Sequence, residues 1–370
     1  MAPAYLRRRL HRLTMPYLED DTVTFVHIGD AEAVRIVHFM ACFPEIPPMT
    51  RLEGTQFWHT TVELPTGSRI EYKLEIDRKG RTDRILDPLN RRMASDPFGS
   101  NSVAHGPGYT DPAWVSPSVD AAESRLETVE IDSAALGGLR TVTVYLPGGA
   151  EAHSGDLEPF PTVYFHDGSD LLEYASLTTV LDNLIGAGAV APLVAVLLDP
   201  VDRGREYAGS PEHARFVVDE VVPQIGERFL NGGDAPRVIG GASLGAVAAL
   251  ATAWQAPGTF DGAVLLSGSF VRSLGGPWNR AETFAPVVEL LDRFAQDPGR
   301  PVVRAWIGCG GYESLAEDNR AFLPILEPAI DEIEYSESHD GHHWVNWRNQ
   351  LGTALQWLLP GTVTVPQAER

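Results

Sequence analysis

The sequence predicts an α/β chain in two parts, a small all-β sandwich followed by a doubly wound α/β layer. Three observations carry this prediction. Between residue 22 and about residue 104, short runs alternate apolar and polar side chains and are separated by turn chemistry. From residue 126 onward, apolar strand-like segments alternate instead with helical ones. Charge divides at the same seam: of the net −21, residues 126–370 carry −19 and residues 1–125 only −2. The boundary is placed near residue 122, giving units 1–122 and 123–370.

The N-terminal stretch MAPAYLRRRLHRLTM is basic, with Arg7, Arg8 and Arg9 together, but no apolar run of signal-peptide length follows before Pro16, Glu19, Asp20 and Asp21. It reads as a frayed basic leader, with no secretion signal and no membrane span, on a cytoplasmic chain. Extended runs follow at Thr22–Ile28, Ala33–Phe39, Phe57–Leu64 and Ile70–Ile76. Turn signals separate them: Pro47-Pro48, Thr66-Gly67-Ser68 and Lys79-Gly80. The stretch Asp87–Trp114 is rich in Pro, Gly, Asn and Ser, yet apolar at Leu89, Phe98, Val103, Tyr109 and Trp114. It is expected to be a structured connector packed back on both units.

In the second unit, strands are expected at Thr141–Leu146, Thr162–His166, Leu193–Leu198, Arg237–Ile239, Gly262–Leu266 and Val302–Ile307. Helices are expected at Leu171–Gly186, His213–Phe229, Leu244–Ala253, Phe284–Gln296, Asn319–Glu327 and Trp344–Leu359. Segments such as LVAVLL and AVLLS are apolar on both faces, as a parallel sheet covered by helices requires.

Composition narrows the chemistry. Hydrophobic residues make up 44 % of the 370 and charged residues 21 %, enough for sizeable cores. The acidic balance argues against nucleic-acid binding, which needs clustered Lys and Arg. The two cysteines, Cys42 and Cys309, lie too far apart in sequence for a metal motif and read as reduced thiols. No H-E-x-x-H, C-x-x-C or Walker loop occurs, so neither metal nor cofactor is expected.

The sharpest local signal is RVIGGASLGAVAALATAW. A short strand enters Gly241-Ala242-Ser243-Leu244-Gly245 and an Ala-rich helix leaves it. A nucleophile on so tight a bend needs small residues two positions to either side, and it gains from the positive end of the helix. The α/β-hydrolase chain order of nucleophile, acid, then histidine leaves only His339, His342 and His343 as bases, and His342, directly after Gly341, is preferred. The acid should follow a late strand, where Glu313 is the first carboxylate, with Glu317, Asp318 and Asp340 as rivals. For the oxyanion, one donor is the amide of Leu244 and the other comes from the region of Gly168 and Ser169, after the strand ending in His166-Asp167.

These motifs resemble the enterochelin (enterobactin) esterase family, within the α/β-hydrolase superfamily and similar to esterase D. FWHTTVELP, RIEYKLEID, LDPLN and DPFGSNSV carry the likeness in the first unit. YFHDGSD, LLDPVDRGREY, GGASLGA, GCGGYES and DGHHWVNWR carry it in the second. The resemblance implies an immunoglobulin-like sandwich before an α/β-hydrolase catalytic domain, with Ser243 as nucleophile, His342 as base and Glu313 as the late acid. It implies Arg203 and Glu206 as an Arg-x-x-Glu element bordering the site, either scaffold or substrate edge rather than chemistry. The implied substrate is a small-molecule ester, a catecholate siderophore trilactone that can carry ferric iron. The final motif departs from the family pattern, reading Asp340-Gly341-His342-His343 where Gly-Gly-His-Asp is more usual. Arg78, Lys79, Arg81, Arg84, Arg91 and Arg92 offer either a basic lip for an anionic substrate or a solvated strand edge. Other esters, including those of acylated sugars, acyl transfer, and a non-catalytic carbohydrate-binding relic are the competing readings; oligomeric state is not encoded legibly.

Overall fold

The computed structural model describes residues 14–148, 160–230, 235–275 and 277–361. The basic leader, with Arg7, Arg8 and Arg9, lies outside the described residues. The first nine strands are β1 (Tyr17–Glu19), β2 (Thr22–Ile28), β3 (Ala33–His38), β4 (Thr50–Arg51), β5 (Phe57–Glu63), β6 (Arg69–Arg78), β7 (Arg81–Ile85), β8 (Met93–Asp96) and β9 (Gly99–His105). They form two sheets, β1-β2-β5-β4 and β3-β6-β9-β8, with β7 added to β6.

Period-two patterning explains how the sheets meet. Ile70, Tyr72, Leu74 and Ile76 of β6 are fully buried and share a core with Val23 and Phe25 of β2 and Trp58 of β5. The Phe25 and Tyr72 rings meet edge to face at 5.1 Å. The expected connector over residues 87–114 is corrected in part. Residues 93–96 and 99–105 are strands paired to each other, and β9 pairs antiparallel with β6. Their turn-rich composition hid them because β8 is short and mostly exposed. Trp114, beyond them, buries its ring against the second unit.

Ser124 begins a third sheet, built from β10 (Ser124–Ser133), β11 (Gly138–Pro147), β12 (Thr162–His166), β13 (Val194–Leu198), β14 (Arg237–Ala242), β15 (Gly262–Leu266), β16 (Arg304–Gly310) and β17 (Glu332–Ser338). Its order is β10-β11-β13-β12-β14-β15-β16-β17, so that only β12 and β13 exchange places. From β13 to β17 all neighbours are parallel, while β10 and β11 pair antiparallel at one edge. The edge strands β10 and β17 were not anticipated, because their solvent-facing residues dilute the apolar signal.

The helices are α1 (Gly168–Tyr174), α2 (Leu177–Gly186), α3 (Arg203–Glu206), α4 (Pro211–Arg215), α5 (Val222–Phe229), α6 (Leu244–Gln255), α7 (Ala285–Gln296), α8 (Ala316–Leu326) and α9 (Trp344–Leu358). The single helix read over 171–186 is two, broken at Ser176 in the left-handed region. That read over 213–229 is interrupted by a π-helical turn, Phe216–Val221, just ahead of Pro223. Proline has no N–H to continue the ladder, and the wider turn absorbs the missing bond. Successive sheet residues serve opposite cores. Val163 and Phe165 pack with α1, α2 and α9, whereas Tyr164 packs with α6, α7 and α8. Covered on both faces, β12, β13 and β15 are buried at every residue. Chemistry is thereby confined to the loops at the carboxyl ends of the parallel strands.

Candidate active site

Ser243 sits between β14 and α6 with φ 58° and ψ −120°. Such a conformation costs on the order of 1–3 kcal/mol for a residue bearing a side chain, and it persists only where neighbours over-determine it. Here the Ser243 amide donates to Leu266 O at 2.8 Å, and its carbonyl accepts from Ser269 N at 3.1 Å. The flanking glycines are needed for space. A Cβ on Gly241 would lie 2.5 Å from the Gly245 backbone, and one on Gly245 would lie 3.0 Å from Asp167 Oδ2. The bend leaves the Ser243 hydroxyl beside Ser269, with the two oxygens 3.3 Å apart.

Glu313 follows β16 and is almost wholly buried. One carboxylate oxygen accepts from Ser267 Oγ at 2.6 Å, Gly310 N at 2.6 Å and Cys309 Sγ at 3.0 Å. The other is hydrogen-bonded to Nδ1 of His342, in the loop between β17 and α9. Burial alone would raise the Glu313 pKa, but His342 and the donated hydrogen bonds outweigh it and hold the carboxyl below its ordinary value. The imidazole also packs edge-on against Trp347 at 4.9 Å, whose indole N–H donates to Ser267 Oγ at 2.8 Å. Ser267, Ser269 and Trp347 were not singled out in the sequence. The small residues Ser267-Gly268-Ser269 directly after β15 are the signal that could have drawn attention to the two serines, and nothing local marks Trp347.

Ser243 and His342 open onto one cavity of about 430 Å³, also lined by Arg203, Asp170, His343, Trp344 and Trp347. Part of the wall comes from the first two sheets: Glu71 of β6, and Asp96 and Phe98 at the β8–β9 turn. Among the described residues Arg203 is the one arginine in the wall, and it is already committed. Its guanidinium grips Asp167 through Nε and Nη2, each at 2.8 Å. The remaining charge facing the cavity is therefore largely acidic.

The expected residues fall as follows. Leu244 opens α6 and Gly168 opens α1, so each amide belongs to a helix first turn, where intrahelical acceptors are lacking. Ser169 is corrected as an oxyanion donor, because its amide donates to Asp199 Oδ1 at 2.9 Å and its hydroxyl to the other oxygen. Of the two roles left open for Glu206, scaffold or substrate edge, its surroundings fit scaffold. It is buried away from the cavity, accepting from Arg140 at 3.0 Å and from the amides of Val201 and Asp202 at 3.1 Å. Of the rival acids, Asp318 pairs with Arg280, Glu317 is exposed, and Asp340 is bound to Arg69 and His343. The basic run 78–92 contributes nothing to the lining among the described residues; Arg81 pairs with Asp83 and Arg84 with Glu75. Cys42 and Cys309 are both free thiols. Among the described residues no helix is long and apolar enough to cross a membrane, and no group of side chains is arranged to hold a metal.

A family model described as "Putative esterase" matches residues 133–358, more than half of the chain. An acetyl esterase of Caldicellulosiruptor saccharolyticus is 22 % identical over 142 residues, 32 % of this chain and 53 % of that protein, so the match spans about half the length of that relative. An enterobactin esterase from Shigella flexneri, solved in the presence of enterobactin, superposes with a TM-score of 0.72 at 22 % identity, covering 92 % of this chain and 94 % of its own. The ferric enterobactin esterase of Salmonella typhimurium gives 0.70 at 20 % identity over the same shares. A ferulic acid esterase gives 0.54 at 17 % identity, covering 64 % of this chain and 98 % of its own. These agree with the resemblance carried by the sequence motifs.

Proposed function

Because this chain belongs to that esterase family, we propose that it hydrolyses a carboxylic ester through an acyl-enzyme on Ser243. The Ser243 hydroxyl attacks the ester carbonyl while His342 takes its proton, and the alcohol leaves with that proton. Water, deprotonated by the same imidazole, then releases the acid. Glu313 fixes the His342 tautomer through Nδ1 and stabilises the imidazolium, and the amides of Leu244 and Gly168 receive the oxyanion. One observation supports this reading above the others: the imidazole tied to buried Glu313 and the hydroxyl on the strained bend line the same cavity.

We assign the substrate class as a siderophore trilactone of the enterochelin type. The support is a fold likeness that spans both the sandwich and the catalytic unit, together with a cavity walled by both. The carboxylates of Asp96 and Asp170 favour the uncharged, iron-free ligand over its anionic ferric complex. On this reading residues 1–122 are an immunoglobulin-like domain and residues 123–370 the catalytic domain, and free Cys42 and Cys309 fit a reducing cytoplasm. The acetyl and ferulic acid esterase matches favour a second reading, an acylated-sugar or aryl ester.

A fluorophosphonate probe should label Ser243 stoichiometrically. Ser243→Ala should abolish labelling and lower kcat by roughly 10⁶-fold with the melting temperature unchanged. Wild-type protein that resists the probe, or a variant that keeps its activity, excludes the mechanism. Iron-free and ferric trilactones, acylated sugars and aryl esters, compared by kcat/KM, then separate the substrates.

A further inference from the structure

Strand β6 has an unusual start. Its even residues fill the core between the first two sheets, and its odd residues Arg69 and Glu71, both charged, are buried as well. Alternation would put that face in water; here it meets the loop that carries His342. Arg69 Nη2 donates to Glu71 at 2.8 Å, and Nη1 donates to Asp340 Oδ2 at 3.3 Å, with all three side chains nearly inaccessible. Asn101 of β9 donates to the other Glu71 oxygen at 3.0 Å.

Asp340 passes this anchorage to the loop. Its Oδ1 accepts from the Gly341 amide at 2.7 Å and is hydrogen-bonded to His343 Nδ1 at 3.1 Å. His342 is thus held between two neighbours fixed to the same carboxylate. Backbone bonds repeat the attachment: Arg69 N donates to His339 O at 3.0 Å, and His339 Nδ1 donates to Thr66 O at 2.7 Å. Next to Glu313, Cys42 N donates to Tyr312 O at 3.2 Å, and Phe43 meets Tyr312 edge to face at 4.9 Å. Both carriers of the catalytic proton path are therefore seated on the first unit.

We propose that Arg69 is a positioning residue for the reaction: through Asp340 it holds the His342 loop in register with Ser243, so that the β-sheet unit is part of the catalytic apparatus. This rests on the reading of Ser243 and His342 as nucleophile and base. The guanidinium does not touch the reacting atoms. It fixes a loop whose displacement by an ångström would misalign the imidazole, and misplacement on that scale lowers rates by as much as about 10²-fold. A planar fork can satisfy two carboxylates at once, which an ammonium cannot do with the same geometry.

The test compares wild type, Arg69→Lys and Asp340→Asn in the full chain. Active sites are titrated with a fluorophosphonate probe, and hydrolysis of p-nitrophenyl acetate, too small to reach Glu71, is measured per titrated site. The expected result is a kcat per site lowered roughly 10-fold in both variants with KM within about twofold, because orientation rather than binding is lost. Asp340→Asn keeps an acceptor for the Gly341 amide, so it reads the charge link even where Arg69→Lys yields little folded protein. A merely structural role lowers the number of titratable sites or the melting temperature while leaving kcat per site within twofold, and that outcome overturns the proposal. Wild type that carries no label at Ser243 fails differently, since it removes the nucleophile assignment on which the proposal stands.

Discussion

The eight-stranded sheet and the two smaller sheets solve the burial problem in opposite ways. In the larger one, strands such as β13 are apolar throughout, both faces are covered, and every polar group with chemistry to do is pushed to the carboxyl ends of the strands. Ser243, Glu313 and His342 follow β14, β16 and β17 in turn along one rim, with β15 between the first two strands. In the smaller sheets one face of β6 is apolar, and the other spends its burial on Arg69 and Glu71 at the seam with the catalytic loops. A buried ion pair adds little to stability compared with an apolar replacement. Its presence at a seam rather than in a core points to orientation as its service.

That contrast can be broken most sharply on the rim that carries Ser243, Glu313 and His342. Glu313→Gln keeps shape and removes charge, and it should lower kcat by roughly 10⁴-fold with little change in secondary structure. A loss below tenfold, measured per titrated Ser243, would shift the orienting role to another acid. A smaller effect is expected in the first core. Phe25→Ala, at a site with no solvent exposure, should cost about 3–5 kcal/mol of stability. If the seam is as tight as its hydrogen bonds imply, probe labelling of Ser243 in this variant should vanish at the same urea concentration as the fluorescence of Trp58. Labelling that outlasts the Trp58 transition would make the first unit dispensable for the site.

The smallest effect concerns acid. Burial, then the neighbouring His213, push the buried His166 down to about 3. Between its ordinary value of 6.5 and that point, the unfolded chain binds a proton that the folded chain refuses. Stability from this group is complete above pH 6.5 and is lost on acidification, by at most about 1.4 kcal/mol per pH unit. Burial would raise Glu206, but its bonds to His213, the Asp202 amide and Arg140 hold it down to about 2. Its contribution is likewise present above the ordinary carboxylate range and fades as the pH falls through its folded value. The melting temperature should be flat at and above neutrality and fall below pH 6.5, less steeply in His166→Gln. A flat profile into the carboxylate range would contradict a buried, neutral His166.

What could be read without coordinates was whatever is local. The bend at Ser243 announces itself because strand, small residues and helix are contiguous. The rim order restricted the base to three histidines and drew attention to Glu313. The two helix breaks, at Ser176 and over the π-helical turn before Pro223, are also local, but each lies inside a run that reads as one helix. Non-local pairings were invisible. Nothing around Arg69 announces that it meets Asp340, 271 residues away, and the run 266–269 gives no hint that Ser267 joins Trp347 to Glu313. Ser169 looked like an oxyanion donor because Asp199, which captures it, lies on another strand end. Glu206 could be read as substrate edge because Arg140, which binds it, lies far off in sequence on β11.

The turn between β8 and β9 has a consequence of its own. Only Pro97 and Phe98 join these strands, and the Phe98 ring is 94 % exposed while bordering the cavity mouth. A hairpin tip tolerates changes in length and side chain that a packed strand refuses. One stretch of the cavity rim is thus carried by a replaceable fingertip, where a few altered codons could reshape the opening while the strands beneath stay untouched.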